Sequence, residues 1–282
     1  MTGAVLVDKP AGPTSHDVVA RARRALGERS IGHTGTLDPF ATGLLVLLVG
    51  KATRVARFLD GLAKTYLAVA RLGQRTATDD LTGEPLGGPH DGPLPDRASV
   101  EAALAGFAGP QAQVPPAFSA RRQDGERAYA RARRGAEVQL PATAVTVYAA
   151  ELLSVAGAEV SFRVTVSTGT YIRALARDLG ERLGTGAHLT ALRRESIGSL
   201  QVADALPLDA LGAGTKPWPV GAVLSHLPRV PVNAAGRMDI AHGRPVAGSE
   251  SGTVAVLSGN EVIAVAEGDG TWLRPTVVLT TP

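Results

Sequence analysis

The fourteen residues from Gly32 to Leu45, Gly-His-Thr-Gly-Thr-Leu-Asp-Pro-Phe-Ala-Thr-Gly-Leu-Leu, set one carboxylate, Asp38, in a loop of glycines and small hydroxyl residues. An apolar run, Leu44 to Val49, follows at once and reads as a buried strand. Held on such a support, a lone carboxylate can attack carbon covalently or stabilise positive charge developing at a sugar. Asp-Pro alone is an ordinary turn dipeptide, and Pro39 biases Asp38 toward extended geometry. The surrounding pattern, not the dipeptide, makes Asp38 the candidate.

Other familiar chemistries fail on spacing. Gly50-Lys51-Ala52-Thr53 lacks the phosphate-loop pattern, which needs glycine at 45 and a hydroxyl residue at 52, where Leu45 and Ala52 stand. No Gly-x-Gly-x-x-Gly or Gly-x-Ser-x-Gly occurs. The six histidines never fall at zinc spacing, and with no cysteine neither a thiolate site nor a disulfide is available. The chain is therefore expected to use no metal and no cofactor. Absence of cysteine fits a reducing cytoplasm, and the N-terminus reads as a first strand, not a signal peptide. No run of eighteen apolar residues suggests a membrane span.

The net charge of +3 does not identify a nucleic-acid binder, but its placement is uneven. From Arg229 onward there are four basic and five acidic side chains, which leaves 25 against 21 before it. Six arginines (Arg121, Arg122, Arg127, Arg131, Arg133, Arg134) crowd one segment against Asp124 and Glu126.

Several elements must position these groups. Thr14 with Asp17, the stripe Val18, Val19, Ala22, Leu26 and the stop at Gly27 predict a helix over 16–26. Strands are expected at 65–72, 145–153 and 159–166, the last with Val160, Phe162, Val164 and Val166 on one face. Helices are expected at 99–108, 126–134 and 171–183, and the Gly/Pro/Asp-rich stretch 73–96 reads as a long loop. Prolines at 207, 217, 219, 228 and 231 place a domain boundary near 229, before short alternating runs that read as a small β module.

The pattern His33-x-Gly-x-Leu-Asp38-Pro-x-Ala-x-Gly-x-Leu45 resembles the catalytic-aspartate signature of the pseudouridine synthases that modify position 55 of tRNA, the TruB family. Further motifs agree in order over nearly all of residues 3–211: Asp8-Lys9-Pro10-x-Gly12, Lys64-Thr65-Tyr66 with Arg71-Leu72-Gly73-Gln74-Arg75-Thr76, Ser167-Thr168-Gly169-Thr170-Tyr171-Ile172-Arg173, and Gly186-Ala187-His188-Leu189 with Leu192-Arg193-Arg194. The resemblance implies an α+β pseudouridine-synthase fold on a mixed, mainly antiparallel sheet, occupying residues 1–228, with a PUA-like β domain at 229–282. It implies that the Lys-Pro motif packs on the catalytic loop, that Tyr66 stacks on the base, and that Arg173 ion-pairs with Asp38. Tyr171 and Leu192 would complete the pocket, His33 would sit by the displaced nucleotide, and 115–145 would form a thumb whose Arg121, Arg122, Arg131 and Arg134 meet RNA.

The reaction implied is isomerisation of uridine 55 in the tRNA T-arm. It breaks the bond from ribose C1′ to N1 and rejoins the turned base through C5, with atoms in equal to atoms out. The base must first leave its stack, hence an aromatic platform and an apolar wall. Whether Asp38 bonds to the sugar or only stabilises it stays open. A monomer needing no protein partner is expected. Three rivals use the same residues: an RNA chaperone that folds tRNA, a related synthase acting on another RNA, and an RNA glycosidase.

Overall fold

The computed structural model describes residues 1–119, 121–123, 126–134 and 138–281. Its contacts divide into two compact units. One comprises Met1–Pro39, Gly43–Gly61 and Gly198–Pro282; the other comprises Phe40–Thr42 and Leu62–Ile197.

The first unit begins with β1 (Gly3–Lys9), α1 (Ser15–Leu26), β2 (Ile31–His33) and β3 (Thr42–Val49). β1 runs antiparallel to β3 with Gly3 opposite Val49 and Lys9 opposite Gly43, and β2 also pairs antiparallel with β3. A two-residue strand, Leu206–Pro207, lies parallel to β1. β3 is apolar along its length because both of its faces are buried. α1 forms as the capping pattern requires: Thr14 Oγ1 accepts from the Asp17 N–H (3.1 Å) while the Asp17 carboxylate accepts from the Thr14 N–H (2.8 Å). It stops at Gly27, whose φ of 63° suits a residue without a Cβ. Val18, Val19 and Ala22 pack with Val5, Val7, Leu45, Leu47 and Val49. Each large side chain so buried contributes roughly 1.5–3 kcal/mol.

The second unit carries β4 (Lys64–Leu72), α2 (Arg97–Ala105), β5 (Gly109–Gln113), α3 (Ala128–Arg133), β6 (Thr143–Ala156), β7 (Glu159–Val166), α4 (Ile172–Arg182) and β8 (Ala187–Ile197). Its sheet runs β8-β4-β7-β6-β5, every neighbouring pair antiparallel. The alternation expected on β7 is present, with Val160, Phe162, Val164 and Val166 buried. α4 lies against β8 and β4, burying Ile172, Leu175, Ala176 and Leu179. Gly180 lets that helix close on the turn before β8: a Cβ there would collide with the backbone of Gly186 and Ala187.

Three readings need correction. β8 is a full strand where the sequence suggested only a motif. The stretch 73–96 is not uniformly loop: Arg75–Thr76 pairs with Pro85–Leu86 around a tightly bonded turn. The expected helix 126–134 is shorter, since Glu126–Arg127 pairs with Arg122–Gln123 before α3 starts.

The tail of the first unit forms its own sheet from β9 (Arg229–Pro231), β10 (Val246–Ala247), β11 (Ser251–Ser258), β12 (Glu261–Asp269) and β13 (Trp272–Val278), in the order β9-β11-β12-β13-β10. A helix not anticipated, α5 (Ala234–Ala241), packs Ile240 into its core with Val254, Val256, Ile263 and Leu273.

Candidate active site

Asp38 is half-buried, and its two neighbours are pinned. The Leu37 N–H donates to Ser15 Oγ (2.9 Å), and the Ser15 hydroxyl donates back to the Leu37 carbonyl (3.2 Å). On the other side the Pro39 carbonyl accepts from the Gly12 N–H (2.8 Å) and from the fully buried Lys9 ammonium (3.2 Å). Lys9 Nζ also donates to the carbonyls of Pro10 and Pro13 at 2.9 Å each. A buried ammonium needs several oxygen acceptors, and the proline-rich entry to α1 supplies carbonyls in the required arc. The Lys-Pro motif thus holds the Asp38 loop directly. Nearby, His33 meets His16 edge to face, ring centroids 5.5 Å apart.

Ser15, which sequence reasoning passed over, is buried and bonds Leu37 through both its donor and its acceptor. Ser15→Ala leaves the Leu37 N–H unsatisfied and is expected to lower the unfolding free energy by about 1–3 kcal/mol. Urea titration of both proteins measures this.

In the second unit Tyr66 and Leu192, each 7% exposed, share one sheet face. Arg194 stands opposite Tyr66 and Leu192 opposite Ala68, so Tyr66 and Leu192 are diagonal neighbours across the β4–β8 ladder. Arg194 is 1% exposed, a buried cation directly across from the tyrosine.

Tyr171 caps α4 with an extended backbone, and a side chain fixes it there. Buried Gln113 accepts from the Tyr171 N–H (2.8 Å) and donates to the Tyr171 carbonyl (3.1 Å). Two residues on, Arg173 is 5% exposed. Within its own unit it meets the Asp80 carboxylate at 3.5 Å and donates to the carbonyls of Thr78 (2.8 Å) and Phe118 (2.9 Å). Asp80 in turn organises the 76–84 turn, accepting from Thr78 Oγ1 (2.6 Å), the Thr82 N–H (2.9 Å) and the Thr82 hydroxyl. The sequence reading missed Asp80. Its signal was the run Thr76-Ala77-Thr78-Asp79-Asp80-Leu81-Thr82-Gly83, an aspartate with hydroxyls two residues to either side.

Asp79 pairs with Arg177 at 3.1 Å. Burial pushes the Asp79 carboxyl above the ordinary carboxylate range, outweighing the attraction of Arg177, Arg173 and Arg75. For Arg177 burial acts the other way and loses to the charges of Asp178 and Asp79, so it stays cationic.

Of the basic segment, Arg121 is exposed, with a guanidinium nitrogen 3.7 Å from where a Gly169 Cβ would stand. Arg134 is held by Glu126 at 2.7 Å, and Arg131 is half-buried. The side chain of Arg122 lies outside the described residues. No cluster able to hold a metal ion occurs among the described residues, and none of their helices is long and apolar enough to cross a membrane.

Solved structures share this architecture. A chain in the crystal structure of a Cbf5-Nop10-Gar1 complex superposes with a TM-score of 0.77 at 28% identity, covering 99% of this chain and 85% of that one. A chain in the structure of an H/ACA RNP bound to a substrate RNA containing 2′-deoxyuridine gives 0.76 at 26%, covering 99% and 85%. The fold is that of the pseudouridine synthases.

Residues 23–172 match the TruB family pseudouridylate synthase N-terminal domain, and 173–230 match the tRNA pseudouridylate synthase B C-terminal domain. The tRNA pseudouridine synthase B of Thermobifida fusca (strain YX) is 45% identical, covering 98% of both chains. That of Arthrobacter sp. (strain FB24) is 44% identical, covering 96% of this chain and 90% of its own. The chain belongs to the TruB family of pseudouridylate synthases and is an isomerase of RNA.

Proposed function

We propose that this enzyme isomerises uridine 55 in the T-arm of tRNA, with Asp38 as its essential carboxylate. The observation that carries the reading is the double pinning of Leu37 and Pro39, which presents a half-buried acid on a loop whose backbone is held on both sides of it. A reacting group held this way needs little reorganisation when substrate arrives. Asp38 acts at C1′ of the flipped nucleotide. Tyr66 supplies the aromatic platform and can take the C5 proton, while Leu192 and Tyr171 close around the base. Arg173 is the cation that keeps Asp38 ionised and aimed, and His33 fills the space the nucleotide vacates.

Arg121, Arg122, Arg131 and Arg134 contact the tRNA backbone, with Arg134 first released from Glu126. Residues 1–228 form the catalytic domain, and 229–282 form a PUA-like module that extends the RNA contact. The enzyme works as a cytoplasmic monomer without cofactor. The relatives' names, tRNA pseudouridine synthase B, support tRNA as the substrate class.

A T-arm hairpin transcript incubated with the protein alone tests the assignment. Pseudouridine at position 55, and at no other uridine, is expected. A hairpin left unmodified, with turnover only in the presence of other proteins, would favour an assembly of the kind named for the solved relatives. Release of free uracil would favour a glycosidase.

A further inference from the structure

The 76–84 turn carries two adjacent aspartates, and α4 answers with two arginines one helical turn apart. Asp80 meets Arg173 at 3.5 Å and Asp79 meets Arg177 at 3.1 Å. All four side chains are 13% exposed or less. Consecutive residues of an extended chain point to opposite sides. Both carboxylates reach one helix because Asp79 has a φ of 58°, the only positive value at a non-glycine among the described residues. That left-handed conformation disfavours most side chains, and aspartate tolerates it better than they do.

Both guanidiniums also reach the same second segment. Arg177 donates to the Val114 carbonyl at 2.9 Å, and Arg173 donates to the Phe118 carbonyl at 2.9 Å. Gln113, one residue before Val114, holds the Tyr171 backbone. The two arginines therefore form parallel ties between the aspartate turn and the 113–118 strap. Asp178, at 2.8 Å from Arg177, adds a second acid to the outer tie.

We propose that Arg177, with Asp79, is a positioning residue for pseudouridine formation: the outer tie sets the turn and the strap so that Asp80 and the Phe118 carbonyl hold the Arg173 guanidinium in its working orientation. The inference rests on reading Arg173 as the pocket cation. It adds a charge pair that touches neither substrate nor Asp38 in its role.

The test is a double-mutant cycle read by steady-state kinetics on the hairpin. Asp79→Asn keeps a residue tolerant of positive φ and removes the charge. It is expected to lower kcat about tenfold, with KM within about twofold, because small misplacements of a reacting constellation reach this size. Its melting temperature should change little, since Arg177 keeps the Asp178 carboxylate at 2.8 Å as a charge partner. Arg177→Gln should lower kcat to a similar extent, and it serves equally if Asp79→Asn folds poorly.

On an Arg173→Lys background, either change should have almost no further effect, because the group it positions is gone. If Arg173→Lys keeps the full parental rate, the assignment of Arg173 fails. If Arg173→Lys is slow but Asp79→Asn and Arg177→Gln are not, or if they slow both backgrounds equally, the positioning role alone is overturned.

Discussion

Asp38→Asn is expected to cut pseudouridine formation by at least about 10⁴-fold, the scale seen when a principal reacting group is removed. Affinity for tRNA should change by less than about threefold. The substitution is nearly isosteric, and the pins on Leu37 and Pro39 engage their backbone groups, so asparagine leaves those pins in place. Single-turnover assay on the hairpin, with filter binding on the same preparation, measures both quantities. Substantial turnover by the variant would remove Asp38 from the chemistry. If the parent itself anneals tRNA without making pseudouridine, the chaperone reading takes over.

Arg173→Lys carries the second largest effect, a fall in kcat of roughly 10²-fold. The guanidinium spreads its donors over the Thr78 and Phe118 carbonyls while facing Asp80. A lysine ammonium is a point charge on a flexible stem and cannot reproduce that fork. Charge is retained, so Asp80 keeps a cation nearby, and the stability loss should stay near 1–3 kcal/mol. Arg173→Gln would instead strand a buried carboxylate and cost about 3–5 kcal/mol. Thermal unfolding and kinetics of the two variants separate orientation from charge. A fully active lysine variant would mean that the Arg173 guanidinium is not the group that aims Asp38.

Local signals carried much of the fold. Thr14, Asp17 and Gly27 delimit α1 by groups within a few residues of each other, and the alternation of β7 declares its buried face without outside help. β8 was hidden for the opposite reason. Its middle reads Thr190-Ala191-Leu192-Arg193-Arg194-Glu195, and nothing local indicates that Arg194 is buried against the tyrosine strand while Glu195 binds Arg163 from β7. Burial of a charge is decided by partners far away in sequence.

The candidate site divides in the same way. Asp38, Tyr66, Tyr171, Arg173 and Leu192 were found through family motifs. Gln113, Asp79, Asp80 and Arg177 matter through bonds spanning 58 to 98 residues, or to a strap 63 residues away, which no periodicity reveals. Ser15 carries no local signal, because its use lies 22 residues downstream.

That placement of Ser15 has a dynamic consequence. It is the first residue of α1, and the Thr14–Asp17 box directly ahead of the stripe keeps it there. Helix ends are the first part of a helix to fray. Any excursion that unravels this opening turn also frees Leu37 and so slackens the reactive loop, long before the core of β1 and β3 gives way. The lifetime of a competent catalyst is thus tied to the opening turn of α1 as well as to the global barrier for unfolding.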